Sequence, residues 1–334
     1  MGVPTTGTEV AGRVDAILDA LRGAPLHEAV AHDDVVLEAV HDDHLLAFLE
    51  GASSAWERGP YADLVGQDRV VPYFFPTAAL LAGMSPSPPA ALHARIGQFC
   101  YDTMTVIGPG TWEAARSAVD CALTAVDLVV GGERAAYALC RPPGHHVTGQ
   151  GYGGSCYLNN AAVAAEALRV AGHERVAVVD VDAHHGNGTQ AIFWERSDVL
   201  YGSLHVDPAA GWFPHVFGHA SETGAGEGTG ATRNEPLPEG TGDEPWVEAV
   251  GALAGWVGGQ ECSALVVSLG VDAAVDDPAA PLMITPEGFR AAGARLAALG
   301  VPTVFVQEGG YDLPRLAPLV LDVLTSFESA AAPR

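Results

Sequence analysis

Two carboxylates and an imidazole occur at alternate positions where an apolar segment of the chain ends. The segment 176–181 reads VAVVDV, and Asp180, Asp182 and His184 are spaced two residues apart. Successive side chains of an extended strand point to opposite faces, so alternate residues can point the same way. Carboxylate oxygen and imidazole nitrogen are both ligands for zinc. The spacing therefore predicts a metal site with Asp182 and His184 as ligands.

A third ligand must come from elsewhere, because a catalytic metal commonly has three protein ligands and one open position. Asp272 is the candidate, since it follows a second apolar segment, 264–269, through a short turn. Acidic residues after a buried strand also cap the next helix. Asp182 and His184 taken alone leave that purely structural interpretation open.

Two further apolar segments end in polar side chains. His145 and His146 follow the segment 135–140, and Tyr311 follows the segment 302–306. In an open parallel sheet the ligand crevice lies outside the carboxyl ends of the strands, so these residues are expected to converge with the metal ligands.

The residue types at these ends suit hydrolysis of an amide. Histidine titrates near neutral pH, so His145 and His146 could move a proton between water and a leaving amine. Asp180 could orient one imidazole and Asn187 the other. The hydroxyl of Tyr311 could donate to a carbonyl oxygen as negative charge develops there.

The elements that must position these residues alternate along the chain. Strands are predicted at 135–140, 175–181, 199–204, 264–269 and 302–306, and helices at 111–130, 160–171, 243–257, 286–299 and 314–327. Such alternation specifies an α/β fold with a parallel sheet covered on both faces. No linker divides the 334 residues, so one domain over 1–334 is expected. The longest loops are predicted at 207–242 and 272–286.

Composition excludes several classes of protein. Sixteen basic against 41 acidic residues make nucleic-acid binding improbable. We find neither a membrane-spanning apolar run nor a signal peptide, so a cytoplasmic protein without membrane contact is expected. Five scattered cysteines support neither a disulfide framework nor a thiolate zinc site.

Longer motifs resemble the histone deacetylase superfamily. They are RPPGHH at 141–146, GGSCYLNNAAVAAEAL at 153–168, DVDAHHGNGTQ at 180–190, SLHVDP at 203–208, VVSLGVDA at 266–273 and EGGY at 308–311. A closer likeness is to the bacterial acetylpolyamine amidohydrolases, through IGPGTWEAA at 107–115, ALCRPPGHH at 138–146, GNGTQAIFWERSDV at 186–199 and FPHVFGHASETGAGEG at 213–228. The resemblance implies the arginase/deacetylase fold.

It also implies roles for individual residues. Asp182, His184 and Asp272 match the zinc ligands of the family. The catalytic matches are His146 as general base and acid, His145 as the neighbouring imidazole, Asp180 behind it, and Tyr311 as the carbonyl-polarising tyrosine. A structural monovalent cation, K⁺ or Na⁺, is implied at Asp180, Ser203 and Leu204. Iron or cobalt could replace zinc, because this ligand set is not selective.

The sequence departs from the family along the substrate tunnel. Ser155, after Gly154, stands where the family usually has a bulky aromatic, and Ala279 replaces a second large residue, whereas Phe213 matches the opposite wall. These changes predict a wider tunnel. His93 occupies a position where the polyamine branch has an acid, and the chain begins after the family's first strand, so polyamine specificity is in question.

The sequence leaves several functions open. We expect a zinc-dependent amidohydrolase that removes an acyl group, most simply acetyl, from an amine of a small molecule bulkier than an acetylpolyamine. A protein acetyl-lysine deacetylase and an acetylpolyamine deacetylase are the alternative enzymes. An arginase-type ureohydrolase would need a second metal, and a non-catalytic binding protein would not need the intact set of catalytic residues. The oligomeric state stays open, and a homo-oligomer is allowed.

Overall fold

A six-stranded parallel sheet forms the centre of the computed structural model, which describes residues 7–60, 68–85, 87, 89–279 and 281–331. Its strands are β1 Ala135–Ala138, β2 Val176–Asp180, β3 Val199–Val206, β4 Thr232–Leu237, β5 Ala264–Leu269 and β6 Thr303–Gln307. They lie in the order β1-β6-β5-β2-β3-β4, so β6, last in the chain, is inserted between β1 and β5. All neighbours pair in parallel, which places every carboxyl end at one edge.

Helices cover both faces of this sheet. They are α1 Gly12–Ala20, α2 Val35–Val40, α3 Asp43–Arg58, α4 Ala78–Leu81, α5 Leu92–Phe99, α6 Thr111–Val130, α7 Asn160–Val170, α8 Asn187–Phe193, α9 Asp243–Gly258, α10 Pro286–Ala297 and α11 Leu313–Ala331. One apolar core includes side chains of α2, α3, α6 and α7, and the other includes side chains of α1, α9, α10 and α11. The four inner strands are therefore buried on both faces, whereas the edge strands β1 and β4 are partly exposed.

Alternation along the strands supplies both cores. In β2, Val176 and Val178 belong to the core with α6 and α7, whereas Ala177 and Val179 belong to the core with α9 and α10. All four residues are fully buried. A strand buried on both faces reads as a continuous apolar run, which explains why this pattern was visible in the sequence.

The α/β prediction, with a parallel sheet between helices, is confirmed. Each of the five predicted strands and each of the five predicted helices corresponds to an observed element, with ends shifted by a few residues. One prediction is wrong: the loop assigned to 207–242 contains β4. That strand reads TRNEPL and, among the strands that the structure describes, pairs with β3 alone. An edge strand tolerates a proline such as Pro236 and does not need an apolar run. Among the described residues, no helix is long and apolar enough to span a membrane.

Candidate active site

Asp182, His184 and Asp272 come together at the carboxyl ends of β2 and β5. The Nδ1 atom of His184 lies 3.1 Å from Oδ1 of Asp182 and 3.0 Å from Oδ2 of Asp272. One donor atom from each of the three residues lies within 4.8 Å of the others. Two oxygens and one nitrogen so close together are a donor set that a divalent ion accepts.

The backbone orients both carboxylates. Oδ2 of Asp182 accepts the N–H of Gly309 at 2.8 Å, and Oδ1 of Asp272 accepts the N–H of Ala183 at 2.8 Å. Glycine is required beside them, because a Cβ on Gly270 would lie 2.0 Å from Oδ2 of Asp182. The ligand set is therefore held in place by the sheet edge itself.

The electrostatics of this cluster also favour a cation. Burial and the nearby charge of Asp182 raise the pKa of Asp272 to about 7, although the charge of His184 opposes this. Two fully buried carboxylates this close together repel each other when both are ionised, and a bound cation would relieve that repulsion. These three residues thus fit a divalent metal by donor type, spacing and charge.

His145 and His146 lie beside this cluster with different hydrogen-bond partners. Nδ1 of His145 donates to Oδ2 of Asp180 at 2.9 Å, whereas Nδ1 of His146 donates to Oδ1 of Asn187 at 2.8 Å. Their ring centres are 4.0 Å apart. Both rings are nearly inaccessible to solvent, with relative exposures of 3% and 4%.

The partners give the two rings opposite protonation tendencies. Burial lowers the pKa of His145, but the charges of Asp180 and Asp182 outweigh it, and the pKa rises to about 10. Burial, followed by the charges of His145 and His184, lowers the pKa of His146 well below its usual value. The surroundings therefore favour the protonated form of His145 and the neutral form of His146, and a neutral His146 that donates through Nδ1 keeps Nε2 as a proton acceptor.

Tyr311 follows β6 and is fixed by two residues that the sequence analysis missed. Its backbone N–H donates to Oδ2 of Asp277 at 2.7 Å. The guanidinium of Arg13, from α1, lies 5.0 Å from the centre of its ring and donates to the carbonyl oxygen of Gly310. Burial raises the pKa of Tyr311 well above its usual value, although the charge of Arg13 opposes this, so the hydroxyl keeps its proton.

Three more residues around the histidines were missed. Glu308 accepts backbone N–H groups of the histidine loop, the hydroxyl of Tyr101 donates to the carbonyl oxygen of His146 at 2.6 Å, and Asp102 accepts the N–H of Gly154 at 2.6 Å. Glu308 stands inside the EGGY motif, which was a usable signal. Tyr101 and Asp102 act through backbone contacts between distant segments, which the sequence does not signal.

Of the residues assigned to the tunnel walls, Phe213 and Gly154 lie against the ring of His146. Phe213 meets the ring of His146 edge-on, with centres 4.7 Å apart. A Cβ on Gly154 would lie 2.3 Å from the His146 ring, so only glycine fits there. Ser155 follows it, half-buried, with φ of 63°. Ala279 is half-buried, and its N–H donates to Asp277.

The remaining assigned residues occupy other parts of the structure. His93 lies on α5 and stacks on Tyr73 with ring centres 5.9 Å apart, so its part in substrate binding stays a prediction. Asp180 and Ser203 are register partners in β2 and β3, and Leu204 follows Ser203; all three are fully buried. A monovalent cation at these residues stays a prediction too.

Comparison with known proteins decides the family. The model of the histone deacetylase domain matches residues 8–327. The chain belongs to the histone deacetylase family. Acetylpolyamine amidohydrolase of Mycoplana ramosa is 42% identical over 93% of this chain and 89% of that protein. Acetylpolyamine amidohydrolase 1 of Pseudomonas aeruginosa is 40% identical over 97% and 92%.

A solved structure of the same family shares the fold. The crystal structure of acetylpolyamine aminohydrolase from Burkholderia pseudomallei superposes with a TM-score of 0.92 and 38% identity, covering 99% of this chain and 94% of that one. The predicted resemblance, the deacetylase fold and the assignment to hydrolases of the deacetylase type are thus confirmed. The roles of individual residues stay predictions.

Proposed function

We propose that this protein is a metal-dependent amidohydrolase that removes an acetyl group from an amine of a small molecule. The observation that carries the proposal is the histidine pair with opposite protonation tendencies beside a three-donor cluster. Nε2 of His145 lies 3.9 Å from Oδ1 of Asp182, and the ring centres of His146 and His184 are 6.2 Å apart. Acid, base and ligand groups thus share one small volume.

Asp182, His184 and Asp272 would hold the divalent ion. When bound, such an ion polarises a carbonyl and lowers the pKa of a water molecule. Zinc is the ion expected for the family, and iron or cobalt would suit the same mixed set of oxygen and nitrogen donors. We further propose a structural potassium or sodium ion at Asp180, Ser203 and Leu204.

The side chains divide the proton transfers. Neutral His146 takes a proton from water on Nε2, because its Nδ1–H is committed to Asn187. The water oxygen bonds to the carbonyl carbon while the protonated hydroxyl of Tyr311 donates to the carbonyl oxygen. His146 then returns the proton to the departing nitrogen and the C–N bond breaks; acetic acid and the amine result, and a proton passes between them to give acetate and an ammonium ion. Cationic His145 stabilises the negative charge throughout.

The substrate class follows from the relatives and from the tunnel. Relatives that align over nearly the whole chain are named for acetylpolyamines, which makes a small acetylated amine the substrate class proposed here. Ser155 and Ala279 present little side-chain volume, so we propose that bulkier acyl-amines also enter. Acetylpolyamines are the second candidate, favoured by those names.

A competition among N-acylated amines tests this proposal. The enzyme loaded with zinc would receive acetylpolyamines, branched and ring-containing acetylated amines, and acetyl-lysine peptides in one mixture, and mass spectrometry would follow each product. We expect the small acetylated amines to be consumed first. Preferred turnover of the peptides would assign a protein deacetylase instead. No hydrolysis of any member, with zinc bound, would leave a binding protein. Two manganese ions per chain, found by metal analysis, would favour a ureohydrolase.

A further inference from the structure

The carboxylate of Glu308 is buried below the histidine pair and has no part in the proton transfers described above. Its side chain extends from the end of β6 and has no solvent exposure. Oε2 accepts the N–H of Gly144 at 2.7 Å and the N–H of His145 at 3.2 Å. One oxygen thus holds two consecutive peptide groups of the loop that carries both imidazoles.

Glu308 is itself firmly attached to the sheet. Its N–H donates to the carbonyl oxygen of Leu269 in β5 at 2.9 Å, and its own carbonyl oxygen accepts from Arg13 and from the side chain of Gln307. Its second carboxylate oxygen lies 3.4 Å from the hydroxyl of Ser268. The carboxylate of Glu308, which accepts from the histidine loop, is therefore anchored to the sheet through both its backbone and its side chain.

The opposite side of the loop is packed closely against the backbone before α7. A Cβ on Gly144 would lie 2.5 Å from the backbone nitrogen of Asn160 and 2.6 Å from the carbonyl oxygen of Leu158. The side chain of Asn160 also donates to the carbonyl oxygen of Pro142 at 3.1 Å. The loop is thus enclosed between the start of α7 and the carboxylate of Glu308.

We propose that Glu308 is a positioning residue. It fixes the position of the histidine loop relative to the sheet and thereby orients both imidazoles. The proposal rests on the function proposed above. Glu308 accepts hydrogen bonds from the backbone of the loop that carries His145 and His146. A displacement of this loop would therefore move both rings relative to the metal ligands. Misplacement of a catalytic group by about 1 Å can lower a rate by about 10²-fold.

Two substitutions separate position from charge. Glu308→Ala leaves the two N–H groups without their acceptor, and we expect kcat to fall by about 10²-fold with much less change in KM. Glu308→Gln keeps one oxygen for both N–H groups and can turn its amide nitrogen toward the hydroxyl of Ser268, so we expect kcat near the wild-type value. Bound metal should be the same in both variants. If Glu308→Ala does not fold, Glu308→Met is the alternative variant. Methionine fills the volume of the glutamate side chain but still leaves the N–H groups of Gly144 and His145 without an acceptor.

Val306→Ala is the matched control, because Val306 lies two residues earlier, in β6, is equally buried and has its side chain in the apolar core. It should lower thermal stability and leave kcat unchanged. Equal slowing by Glu308→Gln and Glu308→Ala, or by Val306→Ala, would overturn the proposal.

A measurement that needs no substrate separates this inference from the proposed function. We expect the proton between Nδ1 of His145 and Asp180 to give a downfield NMR signal, which would be assigned through its loss in His145→Ala. We expect that signal to shift in Glu308→Ala and to return in Glu308→Gln. An unchanged signal in Glu308→Ala contradicts the positioning role, even if no acylated amine is hydrolysed by the wild-type protein.

Discussion

The guanidinium of Arg13 lies over the ring of Tyr311, 5.0 Å from its centre. Nε of Arg13 donates to the carbonyl oxygen of Gly310 at 2.7 Å, and a second nitrogen donates to the carbonyl oxygen of Glu308. Helix α1, at the start of the described chain, thus holds the turn that carries the tyrosine from the last strand. Arg13 has only 2% exposure, so these contacts are made without competition from water.

Replacing Arg13 with lysine should slow the reaction. Lysine keeps the charge but lacks the planar fork that reaches both carbonyl groups, so the turn before Tyr311 should loosen. We expect a lower kcat and a lower Tm, measured by steady-state kinetics and calorimetry. Arg22→Lys, at an arginine with 77% of its side chain exposed, is the control. Unchanged kcat in Arg13→Lys would separate this contact from catalysis.

Loss of a ligand should remove metal and activity together. Asp182→Ala and His184→Ala each leave two of three donors, and we expect neither bound metal nor turnover, as measured by elemental analysis and kinetics. The fold should persist, since the cores lie within the sheet and helices. Asp19→Ala, at an exposed carboxylate, should keep both properties. Full metal occupancy in Asp182→Ala would refute the assignment.

Removal of the proposed proton donors should leave the metal in place. His146→Ala and Tyr311→Phe should each lower kcat by about 10²- to 10⁴-fold, the usual effect of losing a general base or an oxyanion donor. His145→Ala should also be slower, because the cationic ring is lost. Wild-type turnover in Tyr311→Phe, where chemistry limits the rate, would remove the tyrosine from the mechanism.

Added bulk at Ser155 should change substrate preference. Ser155→Phe should favour slim acetylated amines over branched ones, because a filled tunnel rejects volume and contacts a thin chain. The measurement is the ratio of kcat/KM for a slim and a bulky substrate. Ser155 already has a φ of 63°, so Ser155→Ala, with the same backbone, controls for local strain. An unchanged ratio would place Ser155 outside the tunnel.

His41 should make the fold sensitive to acid. It is buried, with Nδ1 donating to the carbonyl oxygen of Thr148 and Nε2 accepting the N–H of Asn159. Burial lowers its pKa from 6.5 to about 4, although the bond to Thr148 opposes this. A depressed pKa means that the neutral form is favoured in the folded state, so stability is present above pH 6.5 and falls between pH 6.5 and 4.

The expected loss is about 3 kcal/mol below pH 4, on the order implied by this pKa difference. Denaturant unfolding at a series of pH values measures it. His41→Gln should be less stable near neutral pH and should show a smaller change across that window. An identical pH dependence in both proteins would assign the acid sensitivity to other groups.

The sequence predicted those parts of the structure that depend on local pattern. Apolar runs buried on both faces located five strands, and the side chains following them were expected at one sheet edge, where Asp182, His184 and Asp272 indeed meet. β4 was missed because an edge strand does not need an apolar run. The contacts of Arg13 and Asp277 were missed because they join segments far apart in the chain through backbone atoms.

The place of β6 in the sheet bears on how the chain can fold during synthesis. β1 pairs with β6 through Ala135 and Thr303, and β5 reaches β1 only across β6. A nascent chain released before residue 303 therefore lacks the partner of β1, and its sheet has a gap. Pairings between distant segments form slowly, and unpaired strand edges promote aggregation. Truncation just before β6 should thus yield insoluble protein rather than a smaller folded unit.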